Sequence, residues 1–442
     1  LKLDPDVFVI GNVVSRGNAL MEAILDARAP YTSGPRWLAG NVLRGRRVVA
    51  VAGTHGKTTT TSLVAHLLEH AGRAPGFLVG GVPANFGESA RLGEGAPFVV
   101  EADEYDTAFF DKRAKFVHYA PEVAVLNNLE FDHSDIYADL AAIEWQFHQL
   151  LRIVPRSGRV VFNARDDNLV RVLARGCWTP TTSFDGDGGR DADVALAAAG
   201  PGRVAVRSDG VEAEAEWPMP GRHNRQNAAA ALAACLALGA PADALVEGLG
   251  SFRGVRRRLE LIANRGDIRV YDDFAHHPTA IRLTIEALRE SAGRIVVAFE
   301  PRSNTMKLGV HRDALKPAFA GADAGFVLAP PAIGWDVGAA LDGAAPVLQV
   351  HDDAAALHAA LLASLARRED LLPLDRSAVC RTIERAARIA GDAERLSTHL
   401  QQITDLLRES DYWAREAEKE LISADHVQQA IDAQVRRADR IQ

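Results

Sequence analysis

The hydrophobic pattern of the first 350 or so residues alternates between short apolar runs and longer amphipathic stretches. RVVAVAG, FVVEAD and VAVLNNLE are apolar runs bounded by glycine or acidic residues, whereas TTTTSLVAHLLEH has helical spacing. The runs IRVYDD, RIVVAFEP, AGFVLAP and PVLQV continue the alternation. Such alternation is typical of α/β proteins with parallel sheets. The sequence therefore predicts an α/β chain, with linkers near Arg46 and over residues 251–258.

The pattern changes after about Arg367, where helical spacing takes over. Between residues 371 and 442 there is one glycine and one proline. We therefore expect an all-α tail that adds no strand beside PVLQV and packs on the helix predicted for LHAALLASLA. This prediction depends on the candidate N-caps Asp375, Ser397 and Ser423 and on an apolar helix face formed by Leu400, Ile403, Leu406 and Trp413.

Composition narrows the possible classes of protein. The chain has 442 residues, 48% of them hydrophobic and 24% charged, with a net charge of −8. That charge argues against nucleic acid or an anionic membrane as the main partner. The three cysteines are widely separated, and no apolar run approaches the roughly 20 residues of a membrane helix. We expect a cytoplasmic protein and, because the chain begins at Leu1, a natural start that lies upstream.

The segment GTHGKT is the first candidate for chemistry. Only two residues separate Gly53 from Gly56, ahead of Lys57 and Thr58, whereas the common phosphate loop has four residues between its glycines. A strand, a glycine loop and Lys-Thr at a helix start still supply N–H groups, a cation and a hydroxyl for phosphates and Mg²⁺. The alternative is a plain glycine turn between a strand and a helix.

Acidic residues follow two of the later apolar runs, VVEADEYD and LNNLEFDHSD. Because the carboxyl ends of parallel strands meet at one edge of a sheet, these side chains should converge near the glycine loop. Oxygen ligands there suit Mg²⁺ bound to ATP phosphates, although solvated loop carboxylates are the simpler alternative. The residues concerned are Glu101, Asp103, Glu104 and Asp106, and then Glu130, Asp132, His133 and Asp135.

Four further stretches complete a resemblance to a known family: GRHNRQNAAAA, FRGVRRRLE, YDDFAHHPTAI and FEPRSNTMKLG. With GTHGKTTT, EADEYD and NLEFDH they resemble, in order and spacing, the Mur ligase family over about residues 1–365. Within that family, EADEYDTAFFDKRAKF and FEPRSNTMKLG are most similar to the members that use a murein tripeptide. The resemblance implies an ATP-dependent ligase that joins UDP-N-acetylmuramate to L-alanyl-γ-D-glutamyl-meso-diaminopimelate in peptidoglycan recycling.

The resemblance also implies a mechanism and a set of site residues. The γ-phosphoryl group of ATP would pass to a carboxylate, and an amine would attack the acyl phosphate, with Mg²⁺ as cofactor. The implied ATP contacts are Gly53, Thr54, His55, Gly56, Lys57, Thr58, Thr59, His223, Asn224, Asn227, Arg258, Asp273 and His276. Lys57, His133 and Arg258 are the expected catalytic residues; Thr58, Glu104 and His133 are the expected metal ligands. Asn85, Ser89, Arg91, Arg302 and Asn304 are the expected substrate contacts.

The resemblance implies a central P-loop-type domain over residues 47–256 and a Rossmann-like C-terminal ligase domain over residues 257–368. Residues 1–46 match only the last part of the UDP-binding N-terminal domain of the family. Residues 369–442 depart from the family and resemble the helical lid segment of Lon-like AAA+ proteases. We expect a spliced or misassembled reading frame, with a natural fusion as the alternative. Two alternatives stay open: addition of L-alanine or, as in folylpolyglutamate synthase, of glutamate; and an inactive ligase fragment with a helical interaction tail.

Overall fold

The computed structural model describes residues 5–439, apart from 135, 190, 209–210, 292 and 391–399. Asp135 and Ser397, named above, lie outside the described residues, as does the side chain of Leu400. The described residues form two compact units. The first unit lies within residues 1–295, 303–306 and 313–321, and the second lies within residues 296–302, 307–312 and 322–442.

The strands are numbered along the chain. They are β1 (Phe8–Ile10), β2 (Tyr31–Ser33), β3 (Arg47–Ala52), β4 (Gly76–Leu78), β5 (Ala90–Arg91), β6 (Pro97–Glu101), β7 (Asp106–Ala108), β8 (Asp111–Ala114), β9 (Val123–Leu126), β10 (Arg159–Asn163), β11 (Thr181–Asp185), β12 (Val194–Ala198), β13 (Arg203–Ser208), β14 (Val211–Glu216), β15 (Glu260–Arg265), β16 (Ile268–Asp272), β17 (Val296–Phe299), β18 (Ala324–Leu328) and β19 (Val347–His351).

The helices are numbered in the same way. They are α1 (Ala19–Asp26), α2 (Gly34–Leu38), α3 (Lys57–His70), α4 (Leu140–Leu151), α5 (Asp167–Ala174), α6 (Arg222–Ala237), α7 (Ala242–Leu249), α8 (Pro278–Arg289), α9 (Asn304–Lys307), α10 (Arg312–Ala318), α11 (Val337–Leu341), α12 (Ala354–Arg368), α13 (Arg376–Ala390), α14 (Leu400–Glu416) and α15 (Ala424–Asp439). A π-helical turn at Ala39–Leu43 continues α2, and a 3₁₀ turn spans Lys115–His118.

The first unit is built around a large sheet whose strand order is β14-β13-β12-β11-β10-β9-β3-β6-β4-β5 among the described residues. Seven consecutive strands of this sheet are parallel to their neighbours: β4, β6, β3, β9, β10, β11 and β12. The remaining strands, β5 at one edge and β13 and β14 at the other, pair antiparallel. Helices cover both faces of the parallel part, which explains why its strands read as continuous apolar runs. The predicted α/β fold with a parallel sheet is confirmed.

Two hydrophobic clusters hold these helices on the sheet. On one face, Val49 and Val51 of β3 pack with residues of α3 and with the alanine-rich α6. On the other face, Val48 and Ala50 pack with Phe147 and its neighbours on α4. Alternate residues of β3 thus point to opposite layers, as the two-residue period of a strand requires. The strand is therefore fixed on both sides immediately before the glycine loop.

The second unit contains the parallel sheet β17-β18-β19 and the tail helices α13, α14 and α15. Ile403 and Leu407 of α14 pack on Leu362 and Leu365 of α12, as expected for a tail that covers this helix. Leu406 does not join that cluster, because it faces α15 in a separate one with the partly buried Trp413. In the described part of residues 371–442, no strand extends the sheet beside β19.

Capping at the tail helices follows the sequence in part. Asp375 Oδ1 accepts a hydrogen bond from the N–H of Ala378 at 2.8 Å, which is the expected N-cap of α13. At the start of α15, the hydroxyl of Ser423 lies 3.2 Å from Nδ1 of His426, and the Ser423 N–H donates to the same nitrogen. Within the described part of the chain, no helix has the length and apolar character needed to cross a membrane.

Candidate active site

The glycine loop between β3 and α3 is tightly held by side-chain amides. Asn128 Oδ1 accepts from the N–H of His55 at 2.7 Å, and Asn127 Nδ2 donates to the His55 carbonyl at 3.0 Å. Gly56 has φ 76°, and a Cβ added there would lie 2.4 Å from Oδ1 of Asn227. Since Gly56 has no side chain to cap α3, the first N–H groups of that helix are directed towards an anion.

A buried ionic cluster lies beside this loop. Lys57 Nζ is 2.6 Å from Oε2 of Glu104, and His133 Nε2 is 3.1 Å from Oε1 of the same carboxylate. Burial acts to lower the pKa of Lys57, but the negative charges of Glu104 and Asp103 outweigh burial and raise the pKa. Burial also acts to lower the pKa of His133, but the hydrogen bond and the charge of Glu104 outweigh burial, so the pKa is raised. The structure thus brings together three residues that the sequence placed at two strand ends and one helix start.

The ligand atoms of Asp103, Glu104 and His133 all lie within 4.8 Å of one another. Asp103 also pairs with Lys115 at 2.7 Å, and Lys57 and Lys115 lower its pKa despite the opposing effect of burial. The hydroxyl of Tyr137 donates to the Glu104 carbonyl, which fixes the backbone of this segment. Two carboxylates and an imidazole are a donor set that accepts a divalent cation.

Thr58 and Arg258 meet at the same loop. Arg258 Nη2 donates to the Thr58 hydroxyl at 3.2 Å, and this hydroxyl donates to Glu101 Oε1 at 3.0 Å. The other oxygen of Glu101 accepts from the N–H of Gly80 at 2.7 Å. Burial lowers the pKa of Arg258. Glu101 therefore orients the threonine that was predicted to bind metal, a role that the acidic run alone did not reveal.

A cavity of about 480 Å³ opens next to the loop. Most of the predicted nucleotide contacts line it. Residues that were not predicted also line it, several of them in or after β9 and β10. The predicted residues on its wall are His55, Gly56, Thr58, Thr59, His223, Asn224, Asn227, Arg258 and Asp273. Those not predicted include Asn128, Asn163, Asp166, Asn168, Arg222 and Thr279.

The start of α6 supplies one side of the cavity. Burial lowers the pKa of His223 to about 4, so its ring is neutral at pH 7. Asn224 Nδ2 donates to the carbonyl of Pro220 at 2.8 Å, and Asn227 Oδ1 accepts from Thr60 at 3.2 Å. The two amides therefore fix the helix start and tie it to α3, in addition to facing the cavity.

The segment before α8 supplies another part of the cavity wall. Asp273 accepts from Thr284 at 2.6 Å, and burial raises its pKa. His276 Nδ1 donates to the carbonyl of Phe274 at 2.9 Å, which leaves Nε2 as the acceptor nitrogen. Burial lowers the pKa of His276. This segment therefore places the carboxyl group of Asp273 on the cavity wall, whereas His276 is not among the described residues that line the cavity.

Sequence reasoning missed the uncharged residues that shape the loop and cavity. Asn127 and Asn128 occur in the run LNNLE, where only the acidic residues were weighed. Asp166 Oδ2 accepts from the N–H of Leu129 at 2.8 Å, and Asn168 Nδ2 donates to the carbonyl of that leucine at 2.6 Å. Two adjacent asparagines at a strand end were the available signal, because amides often fix loops there.

Two of the predicted substrate contacts, Asn85 and Arg91, are engaged by neighbouring residues of the first unit. Asn85 bonds the backbone of Ser251 at 2.9 Å and that of Arg253 at 2.8 Å. Arg91 pairs with Glu69 at 2.6 Å, and its guanidinium lies 4.9 Å from the ring centre of Phe86. These two side chains have structural partners in the first unit, and the assignment of either to substrate stays a prediction.

The other three predicted contacts lie elsewhere on the chain. Ser89 is exposed, and its carbonyl accepts from the N–H of Val79 at 2.9 Å. Arg302 lies in the second unit, 3.4 Å from Glu300, with its side chain 72% exposed. Asn304 begins the short helix α9. The roles of these three residues in substrate binding stay predictions.

A glycine loop between a parallel strand and a helix, with a cluster of carboxylates and a histidine at the same sheet edge, is typical of nucleotide-dependent enzymes. The family model for the Mur ligase middle domain matches residues 51–235, and the one for the glutamate ligase domain of Mur ligases matches residues 257–374. The chain belongs to the Mur ligase family, whose members are ATP-dependent ligases. A third family model, the AAA+ ATPase lid domain of archaeal LonB, matches residues 373–437.

Individual relatives narrow the comparison. The chain is 50% identical over 341 residues to the UDP-N-acetylmuramate–L-alanyl-gamma-D-glutamyl-meso-2,6-diaminoheptandioate ligase of Escherichia coli K12, covering 76% of this chain and 74% of that one. The corresponding ligase from Neisseria meningitides is 52% identical, with a TM-score of 0.54 over 57% of this chain and 80% of that chain. A murein peptide ligase from Psychrobacter arcticus 273-4 is 39% identical, with a TM-score of 0.62 over 81% and 80%.

Proposed function

We propose that this protein joins UDP-N-acetylmuramate to L-alanyl-γ-D-glutamyl-meso-diaminopimelate, with conversion of ATP to ADP and phosphate. The convergence of Lys57, Glu104 and His133 beside the phosphate loop carries the ligase assignment, because it concentrates cations and metal ligands where phosphate charge would lie. The choice of substrates is supported by the 50% identity to the ligase of Escherichia coli. We place the reaction in the cytoplasm and in peptidoglycan recycling.

The cavity is the proposed nucleotide site. Its wall carries the start of α6 and Asp273, and it opens beside the loop that precedes Lys57. A neutral His223 suits contact with the uncharged edge of a base. The first N–H groups of α3 and the ε-amino group of Lys57 would bind the phosphates. Arg258, which already contacts Thr58, adds a second cation at that end.

Mg²⁺ is the proposed cofactor. Glu104, His133 and the hydroxyl of Thr58 would bind the ion, and Asp103 would add a second negative charge beside it. When bound, the ion would neutralise charge on phosphoryl oxygens. The ionised state of Asp103, maintained by Lys57 and Lys115, fits this role.

The proposed chemistry needs charge stabilisation more than a strong base. A carboxylate of the muramyl substrate takes the γ-phosphoryl group, and the amine of the tripeptide then displaces phosphate from the acyl phosphate to form the amide. Both steps collect negative charge in one small volume. Lys57 and Arg258 supply fixed positive charge there, and the amides of Asn127 and Asn128 keep the loop in place.

Phosphate release with different amine donors tests the proposal. The full chain is assayed with ATP, Mg²⁺ and UDP-N-acetylmuramate, together with the tripeptide, free L-alanine or free L-glutamate. We expect release with the tripeptide to exceed that with either amino acid. Faster release with L-alanine would move the assignment to the alanine-adding reaction, and no release with any donor would support an inactive ligase fragment.

A further inference from the structure

Two histidines and a glutamate lie together next to the cavity; His55 is an expected ATP contact, whereas Glu130 and His277 have no role in the function proposed above. His55 belongs to the phosphate loop, Glu130 follows β9, and His277 immediately precedes α8. Their ligand atoms all lie within 4.8 Å of one another. The three residues come from chain segments far apart in sequence, so the fold and not local spacing brings them together.

The distances in this cluster are those of ligands around a metal ion. His55 Nε2 lies 3.4 Å from Glu130 Oε2, and His277 Nδ1 lies 3.6 Å from the same oxygen. Two donors that each bind zinc at about 2.0–2.1 Å in tetrahedral or trigonal geometry are about 3.3–3.6 Å apart. Hydrogen bonds between nitrogen and oxygen are mostly about 2.7–3.2 Å long, so in the absence of an ion the contact of His55 with Glu130 is a long hydrogen bond.

Thr279 orients two of these donors. Its hydroxyl donates to Glu130 Oε2 at 2.7 Å, and its N–H donates to His277 Nδ1 at 3.3 Å. Because His277 Nδ1 accepts a hydrogen bond, that nitrogen carries a lone pair in this arrangement. A cation bound at Nδ1 would replace this long hydrogen bond and would lie beside the carboxylate oxygen of Glu130. Groups that orient metal ligands in this way are common in protein metal sites.

We propose that His55, Glu130 and His277 bind one divalent cation of the Zn²⁺ class. Two imidazoles and one carboxylate favour Zn²⁺ or Co²⁺ over Mg²⁺, which prefers oxygen ligands. His55 and Glu130 line the cavity, so an ion can enter from it and keep its remaining coordination position for water or an anion. The bound ion would connect the phosphate loop to the start of α8.

Metal titration of the full chain, freed of metal by a chelator, tests this site. Zn²⁺ affinity is measured by calorimetry, and Co²⁺ serves as a probe because its visible absorption reports nitrogen ligands and coordination number. The comparison uses Glu130→Gln, which keeps an acceptor for Thr279, and His277→Asn, which keeps a capping acceptor at α8. We expect each variant to bind Zn²⁺ at least about 10–100-fold more weakly than the parent protein.

Two controls separate this site from other imidazoles. His223→Gln changes a histidine on the same cavity wall, and Glu104→Gln with His133→Ala removes the other metal-binding cluster. Both should retain one Zn²⁺ site of parent affinity and the parent Co²⁺ spectrum. Unchanged Zn²⁺ affinity in Glu130→Gln and His277→Asn would overturn the proposal, as would loss of all Zn²⁺ binding in the Glu104→Gln/His133→Ala control. If His277→Asn does not fold, the result for Glu130→Gln decides.

Discussion

The ε-amino group of Lys57 lies 2.6 Å from the carboxylate of Glu104, whose side chain is 2% exposed. The lysine thus neutralises a carboxylate that would be costly to bury alone. The proposed reaction assigns the lysine to phosphate and the glutamate to metal. Loading of the site must therefore separate the two residues, and each should be needed for activity in its own way.

Lys57→Ala should reduce ligation by about 10²–10³-fold or more, because it removes a cation from developing phosphate charge. It should also lower the free energy of unfolding by up to about 3–5 kcal/mol, since Glu104 loses a buried partner. Phosphate release and urea unfolding measure the two effects.

In the Lys57→Ala/Glu104→Gln double variant we expect stability to recover and activity to stay low. Lys112→Ala, at an exposed lysine, is the control; parent-rate ligation by Lys57→Ala would disprove the phosphate-loop assignment.

Glu104→Gln and His133→Ala should each raise the Mg²⁺ concentration needed for half-maximal turnover. They should change binding of ATP without metal much less, because the loop amides and the start of α3 stay intact. Mg²⁺ titration of turnover, together with calorimetry of metal-free ATP, makes the comparison. Glu214→Gln, on an exposed strand residue, is the matched control. An identical Mg²⁺ dependence in all three variants would show that the cluster is a structural ion pair.

Stability should depend on pH through His223. Burial lowers the pKa of this histidine to about 4, whereas an unfolded histidine has a pKa of about 6.5. The unfolded chain therefore takes up the proton first, so the contribution is complete above pH 6.5 and is lost as the pH falls towards 4. Its size is up to about 3 kcal/mol.

Urea unfolding at pH 7 and pH 4.5 measures this dependence on His223. In His223→Gln, the loss of stability between the two pH values should shrink. Leu421→Ala, at an exposed residue that does not titrate, should leave the loss unchanged. An equal loss in His223→Gln and the parent would mean that the ring protonates as easily in the folded protein as in the unfolded chain.

The contact between α12 and α14 predicts a stability difference between two leucines of the tail. Leu407 is fully buried against Leu362 and Leu365, whereas Leu421 is 49% exposed. Leu407→Ala should cost about 2–5 kcal/mol of the second unit's unfolding free energy, and Leu421→Ala less than about 0.5 kcal/mol. Thermal unfolding compares the two.

Deletion of residues 371–442 should lower solubility, because it exposes α12. A deletion variant as soluble as the parent protein would contradict this prediction.

The sequence was informative where chemistry and periodicity pointed the same way. The run RVVAVAG could be recognised as a strand because all its apolar residues are buried between two helix layers. The meeting of Lys57, Glu104 and His133 followed from one rule of parallel sheets, that carboxyl ends share an edge. The α-helical tail followed from spacing and from the scarcity of glycine and proline.

Contacts between distant neutral or surface residues could not be predicted in the same way. Arg91 was assigned to substrate, and nothing in its local sequence shows that Glu69 and Phe86 engage it. His277 stands next to the predicted His276, yet only the fold brings it to Glu130. Side-chain partners separated by many residues depend on packing, which a single sequence does not display.

The amide contacts around Gly56 bear on how fast and how tightly a nucleotide is captured. Asn127 and Asn128 fix the loop, and Asn227 closes the space beside Gly56. Ordering one flexible backbone residue costs about 1–2 kcal/mol of conformational entropy. Because this loop is already ordered before the nucleotide binds, binding of the phosphates requires little further loss of conformational entropy. Closure of the loop then adds no delay to association, and the separation of Lys57 from Glu104 is the rearrangement that loading still requires.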